Sequence, residues 1–300
     1  MTSPTPSPIP SRSASPTASL IASPPADPPA ASGAATGWQA RLELAFERRD
    51  GVTVLAVNRH HGPLLVQRPF YPEGEVCHVY IVHPPGGVVA GDQLELDVRV
   101  ADGAHALLTT PAAGKFYRSG GPGAGLRQRF AVDGGSLEWL PQENIFYPGA
   151  RVDLQTTVQL RGAARFISWE IGTFGLGARD APFHAGIVRQ GVDLQVDGQW
   201  RYASRQPIDR AVIDAAWGLA GQPAVGTLLA YPAGADELDQ ARAVLAPDLT
   251  LGASVVDGVL VCRAIGPRAD RLRAAFTAIW RAVRPRINGR AAVAPRVWAT

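Results

Sequence analysis

The chain has 300 residues, a formal net charge of +3 and two cysteines, Cys77 and Cys262. No apolar run reaches the roughly 18 residues that a membrane-spanning helix requires. Two cysteines within apolar runs do not make the disulfide framework of a small secreted domain. We therefore expect a cytoplasmic protein in which both cysteines are buried free thiols.

Residues 1–37 differ in composition from the rest of the chain. They are rich in Pro, Ser, Thr and Ala, and their only charged residues are Arg12 and Asp27. Such a segment buries too little apolar surface to offset the entropy lost on ordering. It also lacks the basic start and continuous apolar core of a secretory signal. We predict a disordered tail over 1–37, with a tethering role left open, and a single domain over 38–300.

Alternating patterns predict that this domain is mainly β. Apolar and polar residues alternate over 94–100, 152–160 and 192–196, which indicates strands with one buried face. Asp-Gly pairs lie between strand-like runs at 50–51, 102–103, 133–134, 197–198 and 257–258. Asp-Gly favours tight hairpin turns. We therefore expect stacked antiparallel sheets in a β-helix-like or sandwich-like arrangement.

About two α-helices are expected near the C-terminus. The first covers 235–245, and the second covers 267–284, where apolar residues recur at helical spacing and Pro285 marks the end. The second helix either caps the β core or docks a partner. Nine arginines and one acid lie between Arg263 and Thr300, which is consistent with a solvated face or with a docking surface for an acidic protein. Nucleic acid is disfavoured because aromatic residues are not interleaved with the basic ones.

Several catalytic motifs are absent from the sequence. Gly114-Lys115 is followed by Phe116, so a Walker A loop fails, and no Gly-x-Ser-x-Gly elbow occurs. The six histidines show no metal-binding helix spacing. Cys77 and His83 would be roughly 20 Å apart along a strand, which disfavours a local nickel or zinc site.

Three carboxylates lie in aromatic surroundings and leave one enzyme class open. These are Glu138, Glu143 and Glu170. Two carboxyl groups about 5 to 10 Å apart in an open cleft could hydrolyse glycosides. The alternative is that arginine side chains pair with them inside the fold.

Several ordered segments resemble one known family, the urease accessory protein D family, UreD, called UreH in some organisms. The segments that carry the resemblance are His61–Glu73, Cys77–Asp92, Leu107–Arg118, Leu137–Glu143, Ala164–Glu170 and Leu272–Thr300. The resemblance covers essentially residues 38–300. Ala90 stands where the family has Gly, Ala113-Gly114 is unusual for it, and the Pro-rich tail is an addition.

The resemblance implies a non-catalytic urease maturation chaperone with a mainly β fold. Such proteins bind apo-urease and an F-type accessory protein, which in turn carries a G-type GTPase. Together they insert nickel in a GTP-dependent step, and GTP hydrolysis belongs to the G-type partner. No tightly bound cofactor is implied, only nickel in transit through an internal channel.

The resemblance also suggests which side chains serve these roles. Candidates for the nickel path are Asp92, Glu138, Glu143, Glu170, His83, Thr109 and Thr110. For each of them, a turn cap or a buried hydrogen bond is the alternative role. Candidates for partner binding are Arg281, Arg284, Arg286 and Arg290. A nickel-conducting chaperone, a carboxylate hydrolase and a purely structural adaptor with a basic docking face therefore remain as hypotheses.

Overall fold

The computed structural model describes residues 37–299 together with Met1. Its strands, in chain order, are β1 (Gln39–Arg49), β2 (Val52–His61), β3 (Leu65–Val66), β4 (Cys77–Val82), β5 (Gln93–Val100), β6 (His105–Thr109), β7 (Gly114–Phe116), β8 (Ala124–Asp133), β9 (Ser136–Trp139), β10 (Asn144–Phe146), β11 (Arg151–Arg161), β12 (Arg165–Leu176), β13 (Ala181–Pro182), β14 (Ile187–Val196), β15 (Gln199–Ile208), β16 (Ala224–Tyr231), β17 (Thr250–Val256) and β18 (Val259–Gly266). The helices are α1 (Arg210–Asp214), α2 (Ala235–Ala243) and α3 (Ala269–Asn288). The predicted tail falls almost wholly on residues 2–36, which lie outside the described residues, so the domain boundaries stay a prediction.

The strands form two sheets that enclose the main core. The first sheet has the order β15-β14-β11-β8-β5-β1-β2, and the second runs β17-β18-β16-β12-β9-β6-β4-β3. Inward residues of both sheets, such as Leu96 and Phe130 from the first and Leu108 and Phe166 from the second, belong to one buried cluster. The prediction of a mainly β, layered fold is confirmed.

The direction of the inner strands differs from the prediction. Strands β5, β8, β11 and β14 pair in parallel in the first sheet, and β4, β6, β9 and β12 pair in parallel in the second. The chain passes from sheet to sheet at β5–β6, β8–β9 and β11–β12, as in a β-helix. The expectation of antiparallel sheets was wrong for these strands because alternation with period two is the same in both arrangements.

The Asp-Gly pairs are also of two kinds, those in antiparallel hairpins and those that connect the two sheets. Three of them, 50–51, 197–198 and 257–258, close antiparallel hairpins in which both residues have positive φ. The pairs at 102–103 and 133–134 instead form corners that carry the chain from one sheet to the other, and there only the glycine has positive φ. The hairpin prediction was therefore wrong for those two pairs.

The two ends of this stack are built differently. Connections from the first sheet to the second are short, at 101–104, 134–135 and 162–164. Connections that return to the first sheet are long, at 83–92, 110–123, 140–150 and 177–186. Long loops gathered at one end of a rigid framework are where binding sites commonly form.

Helices α2 and α3 confirm the two predicted helices, and α1 is an additional short one. Helix α3 continues through Pro285 and ends at Gly289, whose φ is 67°. The predicted end at Pro285 was thus wrong, since a proline removes only one backbone donor of the last turns. Helix α3 buries its apolar face, including Phe276 and Ile279, against the outer side of the second sheet, as expected of a helix that caps the β core.

Two further sequence expectations concern the cysteines and the membrane. Cys77 and Cys262 are both buried and free, as predicted. None of the helices in the described part of the chain is long and apolar enough to cross a membrane.

Candidate functional site

A cavity of about 270 Å³ lies at the long-loop end of the stack. We call it the large cavity. Loops 83–88 and 110–116 and inward residues of both sheets line it. Most of the wall is apolar, and the polar side chains in it are His83, Thr110, Lys115, Gln128, Gln142, Asn144 and Glu170. A mainly apolar cavity with a few polar groups is typical of a binding site.

A second, much smaller cavity of about 30 Å³ lies between β11, β14 and β15 of the first sheet and β12 and β16 of the second. We call it the small cavity. Its polar wall residues are Thr156, Ser168, Glu170, Gln190, Tyr202, Ser204, Gln206 and Thr227. Glu170 lines both cavities. Glu170 therefore forms part of the wall of each cavity.

Strand alternation explains how these polar groups reach the interior. Glu170 has the inward phase of Phe166 and Phe174 on β12, and Thr156 has that of Val158 on β11. Gln128 likewise has the inward phase of Phe130 on β8. The sequence reasoning missed Gln128 and Thr156 as site residues. The signal available was a polar residue at an inward position of an otherwise apolar strand face.

Among the described residues, the Glu170 carboxyl group accepts a hydrogen bond from Thr156. Thr156 Oγ1 donates to Glu170 Oε1 at 2.5 Å. Burial raises the pKa of Glu170, and the bond from Thr156 opposes that shift only in part. A group with a raised pKa keeps its proton more readily, because the charged form is poorly solvated in the interior.

Glu170→Gln is expected to stabilise the protein at pH 8 by about 1 kcal/mol, since a buried carboxylate without full compensation is costly. A raised folded-state pKa contributes stability below the unfolded pKa and loses it as pH rises through the folded pKa. The advantage of the amide should therefore fade as pH is lowered. Urea unfolding of both proteins between pH 5 and pH 8 measures this. Glu143→Gln, made outside both cavities, is the matched control, and an advantage that is constant with pH would contradict the prediction.

Asp92 and His83 flank the loop at the mouth of the large cavity. Asp92 is 3% exposed, and its two carboxylate oxygens accept hydrogen bonds from the backbone N–H groups of Trp38 and Val89 at 2.8 and 2.9 Å. This is the turn-capping role. His83 lines the large cavity. Burial lowers the pKa of His83, against the pull of Asp92, so its ring is more readily the neutral, metal-binding form.

Glu138 belongs to a buried ion network on the outer side of the second sheet. Its carboxylate accepts hydrogen bonds from Arg284 Nε and Nη2 at 2.9 to 3.1 Å and from Trp280 Nε1 at 2.6 Å, and His105 Nε2 lies 2.7 Å away. Arg284 also donates to Glu73 at 2.7 and 2.9 Å. Burial acts to raise the pKa of Glu138, but His105 and Arg284 lower it to about 2. Glu138 is therefore bound within the network and lines neither cavity.

Of the remaining nickel-path candidates, one lines a cavity and the other two do not. Thr109 Oγ1 donates to the Leu140 carbonyl at 2.6 Å and accepts from Trp298 Nε1 at 2.9 Å. Thr110 accepts from the Gln142 N–H at 2.9 Å and lines the large cavity. Glu143 is half-buried and lines neither cavity. The structure thus brings Glu170, Thr110 and His83 to one cavity and places the other four candidates elsewhere.

Three of the four partner-binding candidates are engaged within the chain. Arg284 is fully buried, so it offers no surface to a partner in this arrangement. Arg286 pairs with Asp236 and with Glu237, and Arg290 pairs with Glu75. Arg281 is exposed on α3. Partner binding through the three accessible arginines stays a prediction.

The site contains no dedicated cluster of metal ligands. Within residues 37–299, no group of three or more His, Cys, Asp or Glu side chains is placed to hold a metal ion. In the polar walls of both cavities, side chains with amide, hydroxyl or carboxyl oxygens outnumber the two others, His83 and Lys115 of the large cavity. Such donors suit weak binding of a hard or borderline divalent cation.

Comparison with known proteins gives one consistent result. The family model described as UreD urease accessory protein matches residues 39–299. The urease accessory protein UreD of Pseudomonas entomophila (strain L48) is 44% identical over 266 residues, which is 88% of this chain and 95% of that protein. The UreD protein of Azoarcus sp. (strain BH72) is 45% identical over 270 residues, with 88% and 95% covered. The UreD protein of Klebsiella aerogenes is 41% identical over 266 residues, with 88% and 97% covered.

Proposed function

Because the chain belongs to the UreD urease accessory protein family, we propose that it is a urease maturation chaperone that conducts nickel through its interior. In this proposal it acts in the cytoplasm and binds apo-urease together with an F-type accessory protein. The F-type protein carries a G-type GTPase, which performs the hydrolysis that accompanies nickel insertion. The chain itself is non-catalytic and holds no cofactor tightly. Nickel is its cargo.

The observation that carries this proposal is the position of Glu170 in the walls of both cavities. The large cavity of about 270 Å³ has room for a divalent cation with six water ligands, since a cavity needs about 10–15 Å³ to hold one water. The small cavity of about 30 Å³ has room for only about two waters. A cation that passes from the large cavity to the small one must therefore shed most of its water.

The wall of the small cavity can replace those lost ligands. Thr156, Ser168 and Glu170 supply oxygen atoms from two facing strands, and five further polar residues continue the wall, namely Gln190, Tyr202, Ser204, Gln206 and Thr227. A conducting path needs sites that bind well enough to admit an ion and weakly enough to release it. One carboxyl group among neutral oxygen donors meets both conditions. Glu170 must lose its proton to bind the cation, so nickel entry and proton release are coupled at this residue.

The carboxylate-hydrolase alternative lacks its two facing carboxyl groups. Among Glu138, Glu143 and Glu170, only Glu170 lines the cavities, and Glu138 is closed off by Arg284. The structural-adaptor alternative accounts for the exposed Arg281, but it gives no reason for polar residues in the core. These features support the conducting chaperone over both alternatives.

Co-expression tests the proposed function. Apo-urease and its F- and G-type accessory proteins are produced with and without this chain at limiting nickel, and urease activity and nickel per urease are measured. Both quantities are expected to depend on the chain. Full activation without the chain would refute the maturation role. Activation that needs the chain but is unaffected by Glu170→Gln would retain the chaperone and refute the path through Glu170.

A further inference from the structure

A buried acceptor in the wall of the large cavity has no hydrogen-bond partner. The side chain of Gln128 lines that cavity, the residue is 5% exposed, and its amide oxygen Oε1 is unpaired among the described residues. Buried polar groups of native proteins are nearly always paired, because an unpaired acceptor costs free energy. The position of Gln128 therefore points to something in the cavity that satisfies it.

The sheet register places Gln128 beside Thr156, which lines the small cavity. Gln128 on β8 is the register partner of Thr156 on β11, and neighbouring strands lie about 4.8 Å apart. Thr156 is the residue that donates to Glu170. An occupant of the large cavity that contacts Gln128 is thus one strand away from the hydroxyl that holds the Glu170 carboxyl group.

Resting on the proposed function, we propose that Gln128 is the residue with which the large cavity holds the hydrated divalent cation before it passes Glu170. An amide oxygen accepts hydrogen bonds from the water ligands of a cation, or replaces one of them. It carries no charge, so it adds little to the barrier for release. Gln128 is then a positioning residue for the cargo, and Glu170 is the charged group that receives the cargo next.

A hydrogen-bond donor in the same wall suggests an alternative occupant of the large cavity, an anion. The indole N–H of Trp139 also lines the large cavity and is also unpaired among the described residues. The water ligands of a cation point their hydrogens outward, so they need acceptors such as Gln128 Oε1 and gain nothing from a donor. An anion in the cavity would instead need a hydrogen-bond donor, such as the Trp139 N–H. Removing the Gln128 amide and the Trp139 N–H in separate variants therefore shows whether the large cavity binds a cation or an anion.

The test uses the complete complex of apo-urease, the F- and G-type accessory proteins and this chain, supplied with limiting nickel. Gln128→Leu is expected to lower the rate of urease activation about 10-fold, the lower range for lost contacts around a metal. Gln159→Leu, the same change at an exposed position of β11, is expected to leave the rate unchanged. Gln128→Glu keeps the size and adds a charge, so the accessory complex should retain more nickel and deliver it more slowly. The thermal midpoint of each purified complex controls for folding.

The outcomes separate this inference from the proposed function. If Glu170→Gln loses activation while Gln128→Leu keeps it, the role of Gln128 is refuted and the path through Glu170 stands. If both keep full activation, both ideas fail. If Trp139→Phe loses activation while Gln128→Leu does not, the large cavity holds an anion, and a cation station at Gln128 is refuted.

Discussion

Arg284→Met is expected to lower the free energy of unfolding by about 3–5 kcal/mol, the range for breaking a buried ion pair by removal of one partner. Arg284 and Glu138 are fully buried, and the side chain of Glu73 is 5% exposed. Arg284 is the cation shared by these two carboxylates. Its loss leaves the two acids with histidine and tryptophan as their remaining side-chain partners among residues 37–299, namely His78, His105 and Trp280.

The size of this loss should depend on pH. The pKa of Glu138 in the folded protein is about 2, below its ordinary value of 4.5. A depressed pKa contributes stability that is present above the unfolded-state pKa and is lost as pH falls through the folded-state pKa. The difference between wild type and Arg284→Met should therefore be largest at neutral pH and begin to narrow as pH falls below about 4.5.

Urea unfolding at pH 7 and at pH 4 measures both effects. Arg281→Met, one helical turn away at an exposed position of α3, is the control and should change stability by no more than about 0.5 kcal/mol. Adding Glu73→Gln and Glu138→Gln to Arg284→Met should recover part of the loss, because the uncompensated charges are then removed. An Arg284→Met protein as stable as wild type would contradict the network. The result also bears on partner binding, since reversing the charge at Arg284 would disturb the fold before it disturbed a docking surface.

Local sequence patterns were enough to predict individual strands and helices, but they did not predict how the strands pair into sheets. The alternation over 152–160 identified β11 and the helical spacing near Phe276 identified α3, because burial of one face imposes these periods. Period two does not encode strand direction, so the parallel inner strands were missed. The corners at 102–103 and 133–134 have the sequence of a hairpin turn, but the strand that follows each of them belongs to the other sheet. Which strand follows a turn is decided by packing of the two sheets, a non-local property.

The site could be predicted only in part for the same reason. Glu170 was identifiable as a carboxyl group in an apolar strand, and the structure places it in the walls of two cavities. Glu138 has a similar local sequence to Glu170, but its carboxylate is bound by Arg284, which is 146 residues further along the chain. Gln128 lies between two exposed arginines, Arg127 and Arg129, so a local view of polarity hides its inward direction.

Glu170→Gln is expected to slow nickel-dependent urease activation by about 10- to 100-fold, the range for lost contacts around a metal. The amide keeps the size of the side chain and removes the carboxyl group of the one acidic residue that lines both cavities in the described part of the chain. A cation that has shed water in the small cavity then meets neutral donors alone. The measurement is the rate of urease activation at limiting nickel, with the assembled complex quantified by gel filtration. Glu143→Gln is the matched control, and full activation by an assembled Glu170→Gln complex would contradict the path.

The pH dependence of activation provides a second, independent readout of the same residue. Burial raises the pKa of Glu170, and the hydrogen bond from Thr156 lowers it. Wild-type activation should therefore decline as pH falls toward that raised pKa, because the protonated carboxyl group no longer binds the cation. Thr156→Val keeps the shape, removes the opposing hydrogen bond and should move this decline to higher pH. Glu170→Gln should remove this decline from the profile altogether. A Thr156→Val profile that coincides with wild type would show that ionisation of Glu170 does not control nickel passage.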